Sequence, residues 1–148
     1  AAKRAHVLLA DDNPINQTVA CAMLRKLGYE VDAAQNGKEA VTAAARGGYD
    51  LILMDCQMPV MDGLEASAAI RAREGSEPSG ARVPIIALTA NAAQVDRERC
   101  IAVGMNDYLA KPYTMLQLQG MLQRHLSPQH EARVRAGQRS GEERARLS

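Results

Sequence analysis

The stretch Leu51-Ile52-Leu53-Met54-Asp55-Cys56-Gln57-Met58-Pro59-Val60-Met61-Asp62-Gly63 decides the fold. Its first four residues are apolar without interruption, and a Pro and a Gly follow within eight positions of the acid that ends the run. A short apolar run bounded by turn formers reads as a buried strand. Asp55 sits at its end. Open α/β sheets place their ligands there, outside the carboxyl ends of the strands. A second run, Val7-Leu8-Leu9-Ala10, closes in the same way on Asp11-Asp12. Two strands that deliver carboxylates to one rim point to a cation site and, beyond it, to phosphate chemistry.

On either side of this stretch, strands and helices alternate. Residues 5–10 read as the first strand. Asn13-Pro14 supplies an N-cap and a first-turn proline for a helix that stops at Gly28. Ile15, Val19, Met23 and Leu27 recur every fourth residue along it as one apolar stripe. Tyr29 to Ala34 reads as a second, weakly hydrophobic strand, and Asn36-Gly37 turns into a helix over 38–46. The strand 50–54 follows, then the Pro-Gly loop, a helix over about 64–73 and a polar loop over 74–82. Val83 to Leu88 is the fourth strand, ending at Thr89, and a helix over about 91–103 stops at Gly104. Tyr108-Leu109 belong to a fifth short strand, closed by Lys111-Pro112, and Thr114 can cap a last helix over 115–126.

Five strands alternating with five helices call for a parallel sheet covered on both faces. Right-handed crossovers restrict the strand order. The expected fold is the α/β, flavodoxin-like (βα)5 doubly wound sheet of order 2-1-3-4-5. Its switch point lies between strands one and three. Those strands end in Asp11-Asp12 and in Asp55, so the acids fall in the crevice that the topology predicts.

Composition narrows the function. The chain has 148 residues, a common single-domain size. Hydrophobic residues make up 47%, but aromatics only 3% with no Trp or Phe, so the core must be aliphatic. A net charge of +1 gives no electrostatic case for nucleic acid. No apolar stretch approaches the roughly 18 residues of a membrane span, and no secretory signal is visible. Cys21, Cys56 and Cys100 lack metal-like spacing and read as reduced, small buried hydrophobes, which suits a cytoplasmic location. Residues 1–126 carry 13 basic and 14 acidic side chains, whereas 127–148 carry five Arg against three Glu. The second segment has little apolar face and reads as a basic flexible tail or linker behind a domain spanning 1–126.

Three carboxylates in one crevice repel one another; two at about 4 Å cost roughly 4 kcal/mol at an effective dielectric of about 20. Such a group persists when a cation neutralises it or when one member stays protonated. The candidate ligands are hard oxygens, which favours Mg²⁺ (or Mn²⁺) over Zn²⁺. Thr89 and Lys111, at two further strand ends, add a hydroxyl and an ammonium suited to phosphoryl oxygens. Phosphoryl transfer depends mostly on positioning and charge neutralisation, and a carboxylate can serve as its nucleophile.

At this point Leu9-Ala10-Asp11-Asp12-Asn13, Met54-Asp55-Cys56-Gln57-Met58-Pro59-Val60-Met61-Asp62-Gly63, Ala87-Leu88-Thr89-Ala90 and Tyr108-Leu109-Ala110-Lys111-Pro112 are read together. With these four motifs in order, residues 5–125 resemble a receiver domain of a two-component response regulator. The resemblance implies that Asp55 is the phospho-acceptor. It implies Mg²⁺ bound directly by Asp12, through water mainly by Asp11, and by Asp55 and the backbone carbonyl of Gln57. Thr89 and Lys111 would hold the phosphoryl oxygens. Tyr108 would be the switch aromatic that turns inward as Thr89 moves toward the phosphate, and the Lys111-Pro112 bond would be cis. The phrases Asp-Asp-Asn-Pro-Ile-Asn-Gln and Met-Asp-Cys-Gln-Met-Pro-Val-Met-Asp-Gly are similar to those of receivers attached to hybrid sensor histidine kinases. A stand-alone single-domain regulator is the other context. The implied donor is a phosphohistidine on a kinase dimerisation domain or a histidine phosphotransfer domain, with any membrane anchor carried by the parent kinase.

Two competing functions have their own discriminators. A docking module that works without phosphorylation would be indifferent to Asp55→Asn. A phosphohydrolase would turn over small phosphomonoesters, but Gln57 stands where its second acid would be and no cap domain encloses a substrate. His6, His125 and His130 are assigned no chemistry, Arg97, Glu98 and Arg99 read as a solvated helix face, and Asp62-Gly63 reads as a turn.

Overall fold

Apolar runs that are buried on both faces form the interior of the sheet. The computed structural model describes residues 5–76, 82–90 and 97–126. Within them run β1 (His6–Ala10), β2 (Glu30–Ala34), β3 (Leu51–Asp55), β4 (Ile85–Thr89) and β5 (Asp107–Ala110). All pairings are parallel, in the order β2-β1-β3-β4-β5. The helices are α1 (Pro14–Lys26), α2 (Gly37–Arg46), α3 (Gly63–Gly75), α4 (Arg97–Ala102) and α5 (115–126). The expected flavodoxin-like order is therefore the one found. The expected start of the fourth helix, at 91–96, and the tail 127–148 lie outside the described residues.

Side chains alternate across the sheet and feed two core layers. Val7, Leu9 and Leu53 pack with Leu24 of α1 and with Leu118 and Leu122 of α5. Leu8, Ile52 and Met54 pack with Ala40 of α2 and with Ala66 and Ile70 of α3. Every residue of β3 is buried. β2 lies at the sheet edge and keeps Glu30, Asp32 and Ala33 exposed, which is why it reads as weakly hydrophobic.

Local signals set the helix ends. Asn13 accepts the N–H groups of Ile15 and Asn16, with Pro14 opening α1. Gly28 takes φ +97° just beyond the C-terminus of α1. Thr114 and Gln117 exchange backbone-to-side-chain bonds at the start of α5.

The structure corrects four readings. The stripe on α1 does not all face the core: Ile15 is 73% and Val19 49% exposed, while Ala20, Cys21 and Leu24 are buried. A four-residue step overshoots one turn by about 40°, so the row winds from solvent at Ile15 to half-buried at Leu27. β4 starts at Ile85, after Pro84; the N–H of Val83 donates to Glu74 Oε2 at 2.8 Å instead. α3 runs on to Gly75.

Asp62-Gly63 is more than a turn. Asp62 and Glu65 form a full capping box for α3. A Cβ on Gly63 would lie 2.2 Å from the backbone oxygen of Asp55. Gly63→Ala must therefore push α3 away from the end of β3, and a loss of about 3 kcal/mol is expected, at the upper end of overpacking costs. Urea denaturation of the two proteins checks it.

Candidate functional site

The carboxyl ends of β1, β3, β4 and β5 place the site residues. Asp11 follows β1 and is 3% exposed; Asp55 ends β3 and is 7% exposed; Asp12 beside them is exposed. Carboxylate oxygens of all three lie within 4.8 Å of one another. Lys111, just past β5, puts its Nζ 3.0 Å from Asp55 Oδ2 and 3.2 Å from Asp11 Oδ2. The other oxygen of each buried acid accepts a backbone N–H, from Asn13 at 2.9 Å for Asp11 and from Gln57 at 3.2 Å for Asp55. Loop geometry on the sequence side of each acid thus fixes its orientation.

Charge does not balance here. Three carboxylates face one ammonium, which leaves two negative charges in surplus when all are ionised. Burial pushes the Asp55 carboxyl above the usual range; the Lys111 bond and the Gln57 N–H oppose that, and Asp11 adds to it. For Lys111, burial works against the charge, but hydrogen bonds and attraction from Asp55 and Asp11 outweigh it and hold the ammonium above its ordinary value. Burial thus governs Asp55, and the two neighbouring carboxylates govern Lys111. A hard divalent ion is the chemical match for this surplus and this all-oxygen donor set.

Thr89 ends β4, half-buried, and lines a cleft of about 610 Å³ with Asp12, Asp55, Gln57 and Lys111. The expected set is thus brought together at one rim. Tyr108 stands apart from it on β5, opposite Ala87 of β4, packed half-buried against the core layer of α2 and α3. The Lys111-Pro112 bond is cis, as the family likeness implied.

Three residues were missed or misread in the sequence. Arg99, read as part of a solvated face, is exposed yet lines the same cleft. Cys56, beside Asp55, also lines it; burial holds its thiol up at about 11 and therefore protonated. Gln17 turns inward to the carbonyl oxygens of Asp11 and Ala34. Only the position of α4 over the rim could have revealed Arg99, and helical periodicity does not carry that. The three cysteines are free, with Cys21 and Cys100 buried.

The fold and rim define an α/β phosphoryl-switch class of domain. Residues 7–123 match the response regulator receiver domain family, and the chain belongs to it. It is similar to hybrid signal transduction histidine kinase B of Dictyostelium discoideum, at 47% identity over 82% of this chain and 7% of that protein. It is also similar to the receiver domain of the sensor histidine kinase PA1611 of Pseudomonas aeruginosa. That match has 54% identity, covers 84% of this chain and 99% of the other, and has a TM-score of 0.75; the structure holds a magnesium ion in the active site cleft. A third similarity is to the receiver domain of Ssk1 of Saccharomyces cerevisiae, crystallised with the histidine phosphotransfer protein Ypd1. Identity there is 37%, coverage 88% and 94%, and the TM-score 0.79. The chain spans less than a fifth of the length of the curated kinase relatives it matches. It is a receiver domain of the two-component phosphorelay class.

Proposed function

We propose that Asp55 accepts a phosphoryl group from a phosphohistidine. The observation that carries this reading is the juxtaposition of buried Asp55 and Asp11 with half-buried Lys111, and with Asp12 at the mouth of one cleft. An Asp55 carboxylate oxygen bonds to phosphorus as the P–N bond breaks, and the electron pair leaves with the imidazole nitrogen. Asp11, Asp12, Asp55 and the Gln57 carbonyl would hold Mg²⁺, whose contribution when bound is neutralisation of charge on the phosphoryl oxygens. Lys111, already 3.0 Å from the acceptor oxygen, supplies the second cation. The Thr89 hydroxyl and the Tyr108 ring carry the change to β4 and β5 and so to the output face. An acyl phosphate brings about two negative charges to a pocket already in surplus, which is the force available for such a switch.

The donor is a kinase dimerisation domain or a histidine phosphotransfer domain, and the parent is a hybrid sensor histidine kinase. Exposed Ile15 and Val19 support a protein donor. They lie on α1, which starts three residues after Asp11, so an apolar surface adjoins the mouth of the acidic cleft. Among the described residues no helix is long and apolar enough to cross a membrane. The reading places this segment in the cytoplasm.

Ile15→Glu tests the reading. It should slow transfer from a phosphorylated phosphotransfer domain at least tenfold and leave phosphorylation by acetyl phosphate unchanged, because the small donor needs no α1 surface. Equal rates from the protein donor would remove α1 from the docking face. Failure of the unmodified chain with both donors would remove the function.

A further inference from the structure

We infer that Gln17 is a positioning residue for the metal-binding acids, acting on the Asp11–Asp12 peptide. This deepens the reading above and rests on it. Residues 12–16 are all exposed; Gln17 is the first of α1 to turn inward and is half-buried. Its Nε2 donates to the backbone oxygen of Asp11 and, at 3.2 Å, to that of Ala34. A primary amide has two N–H donors, so both are spent on the ends of two neighbouring strands. The N–H of Asp11 also donates to Ala34 O at 3.0 Å. The backbone of Asp11 is therefore held at both of its polar groups.

The consequence falls on Asp12. The peptide unit is rigid and planar, so the oxygen of Asp11 and the nitrogen of Asp12 move as one plate. A hold on that oxygen sets the direction in which the Asp12 Cα leaves the strand end. Asp11 has further restraints on its carboxylate, from Lys111 and the Asn13 N–H. Asp12 is exposed at the rim, and its aim into the cleft depends more on the plate that carries it. Gln17 itself is not among the residues that line the cleft, and its side-chain N–H groups go to backbone oxygens, so its amide acts through the backbone.

Hydrogen bonds that orient metal ligands without touching the ion are worth roughly 10–100-fold in metal affinity. Gln17→Met keeps the length of the side chain and removes both donors. Calorimetric titration with Mg²⁺ should show a dissociation constant raised at least tenfold over the unmodified chain. The deficit in phosphorylation by acetyl phosphate should vanish at saturating Mg²⁺. A purely structural staple would lower the melting temperature and leave Mg²⁺ affinity within twofold, and that result overturns the inference while leaving the metal site standing. An unmodified chain that takes up no Mg²⁺ overturns the site reading as well. A measurement on the unmodified chain covers the case in which Gln17→Met does not fold. The side-chain amide signals of Gln17 should shift with the same Mg²⁺ midpoint as the backbone amides of Asp11 and Asp12; signals that stay in place count against the inference.

Discussion

Asp55→Asn is expected to abolish phosphoryl uptake completely and to leave the domain folded. The amide keeps the shape of the carboxyl group, and its one oxygen can still accept from Lys111 or from the Gln57 N–H, which bond to different oxygens of Asp55, but a neutral amide is no nucleophile at phosphorus. Stability carries a second signature. Burial raises the Asp55 carboxyl above its unfolded range, so in the window above the ordinary carboxylate pKa the folded state binds more protons than the unfolded state. Stability then falls as pH rises through that window. At neutral pH without metal, the ionised Asp55 is a cost that Asn lacks. The variant should therefore match or exceed the parent there, with the advantage shrinking as pH falls and the parent's carboxyl protonates. Denaturation without metal across pH 4–8, alongside a phosphorylation assay, reads both effects. The same variant separates the switch from a docking module, since constitutive docking would survive it.

Lys111→Met should lower stability through charge alone. Lys111 is the ammonium bridging Asp11 and Asp55, and its removal leaves two buried carboxylates unmatched. Breaking a buried pair from one side costs about 3–5 kcal/mol. The lysine side chain is 21% exposed, so solvent offsets part of the loss and about 2–3 kcal/mol is expected in the metal-free protein at pH 7. The Lys111 pKa is raised on folding, so its contribution is fully present below the ordinary value of 10.5 and is lost as pH rises through the folded value. The parent's advantage should hold across the neutral range and disappear only in strong alkali. Mg²⁺ should stabilise the variant more than the parent, because the acids no longer share their charge with an ammonium. Chemical denaturation with and without Mg²⁺ measures each step. An equal response to Mg²⁺ would mean that Lys111 and the ion do not serve the same charges.

Much of this site was legible because it is built from strand ends. Asp11, Asp12, Asp55, Thr89 and Lys111 each terminate an apolar run, and a parallel sheet puts all such termini on one rim. The parallel sheet followed from alternation, even though β2 has only Val31 and Ala34 buried. What stayed hidden depends on contacts between distant segments. The need for glycine at position 63 comes from the backbone oxygen of Asp55, across the loop. Arg71 bonds Gly104 O at 2.9 Å and Asn106 Oδ1 at 2.8 Å, tying α3 to the segment before β5, and no local pattern announces such a reach. Gln17 meets Ala34 seventeen positions away, at the end of another strand. The exposed end of the α1 stripe shows the reverse error: apolar spacing identified a helix correctly but did not say which part of its surface meets the core.

The claim beneath these predictions is that the acids at the tips of β1 and β3 gather a divalent ion so that Asp55 can carry a labile anhydride. Intact-mass spectrometry after incubation with acetyl phosphate, with and without Mg²⁺, tests it most directly when the product is mapped by peptide. One phosphoryl group should be gained, dependent on Mg²⁺, confined to Asp55 and absent from Asp55→Asn. A gain that persists without Mg²⁺, that maps to another residue, or that never occurs in the unmodified chain would contradict it.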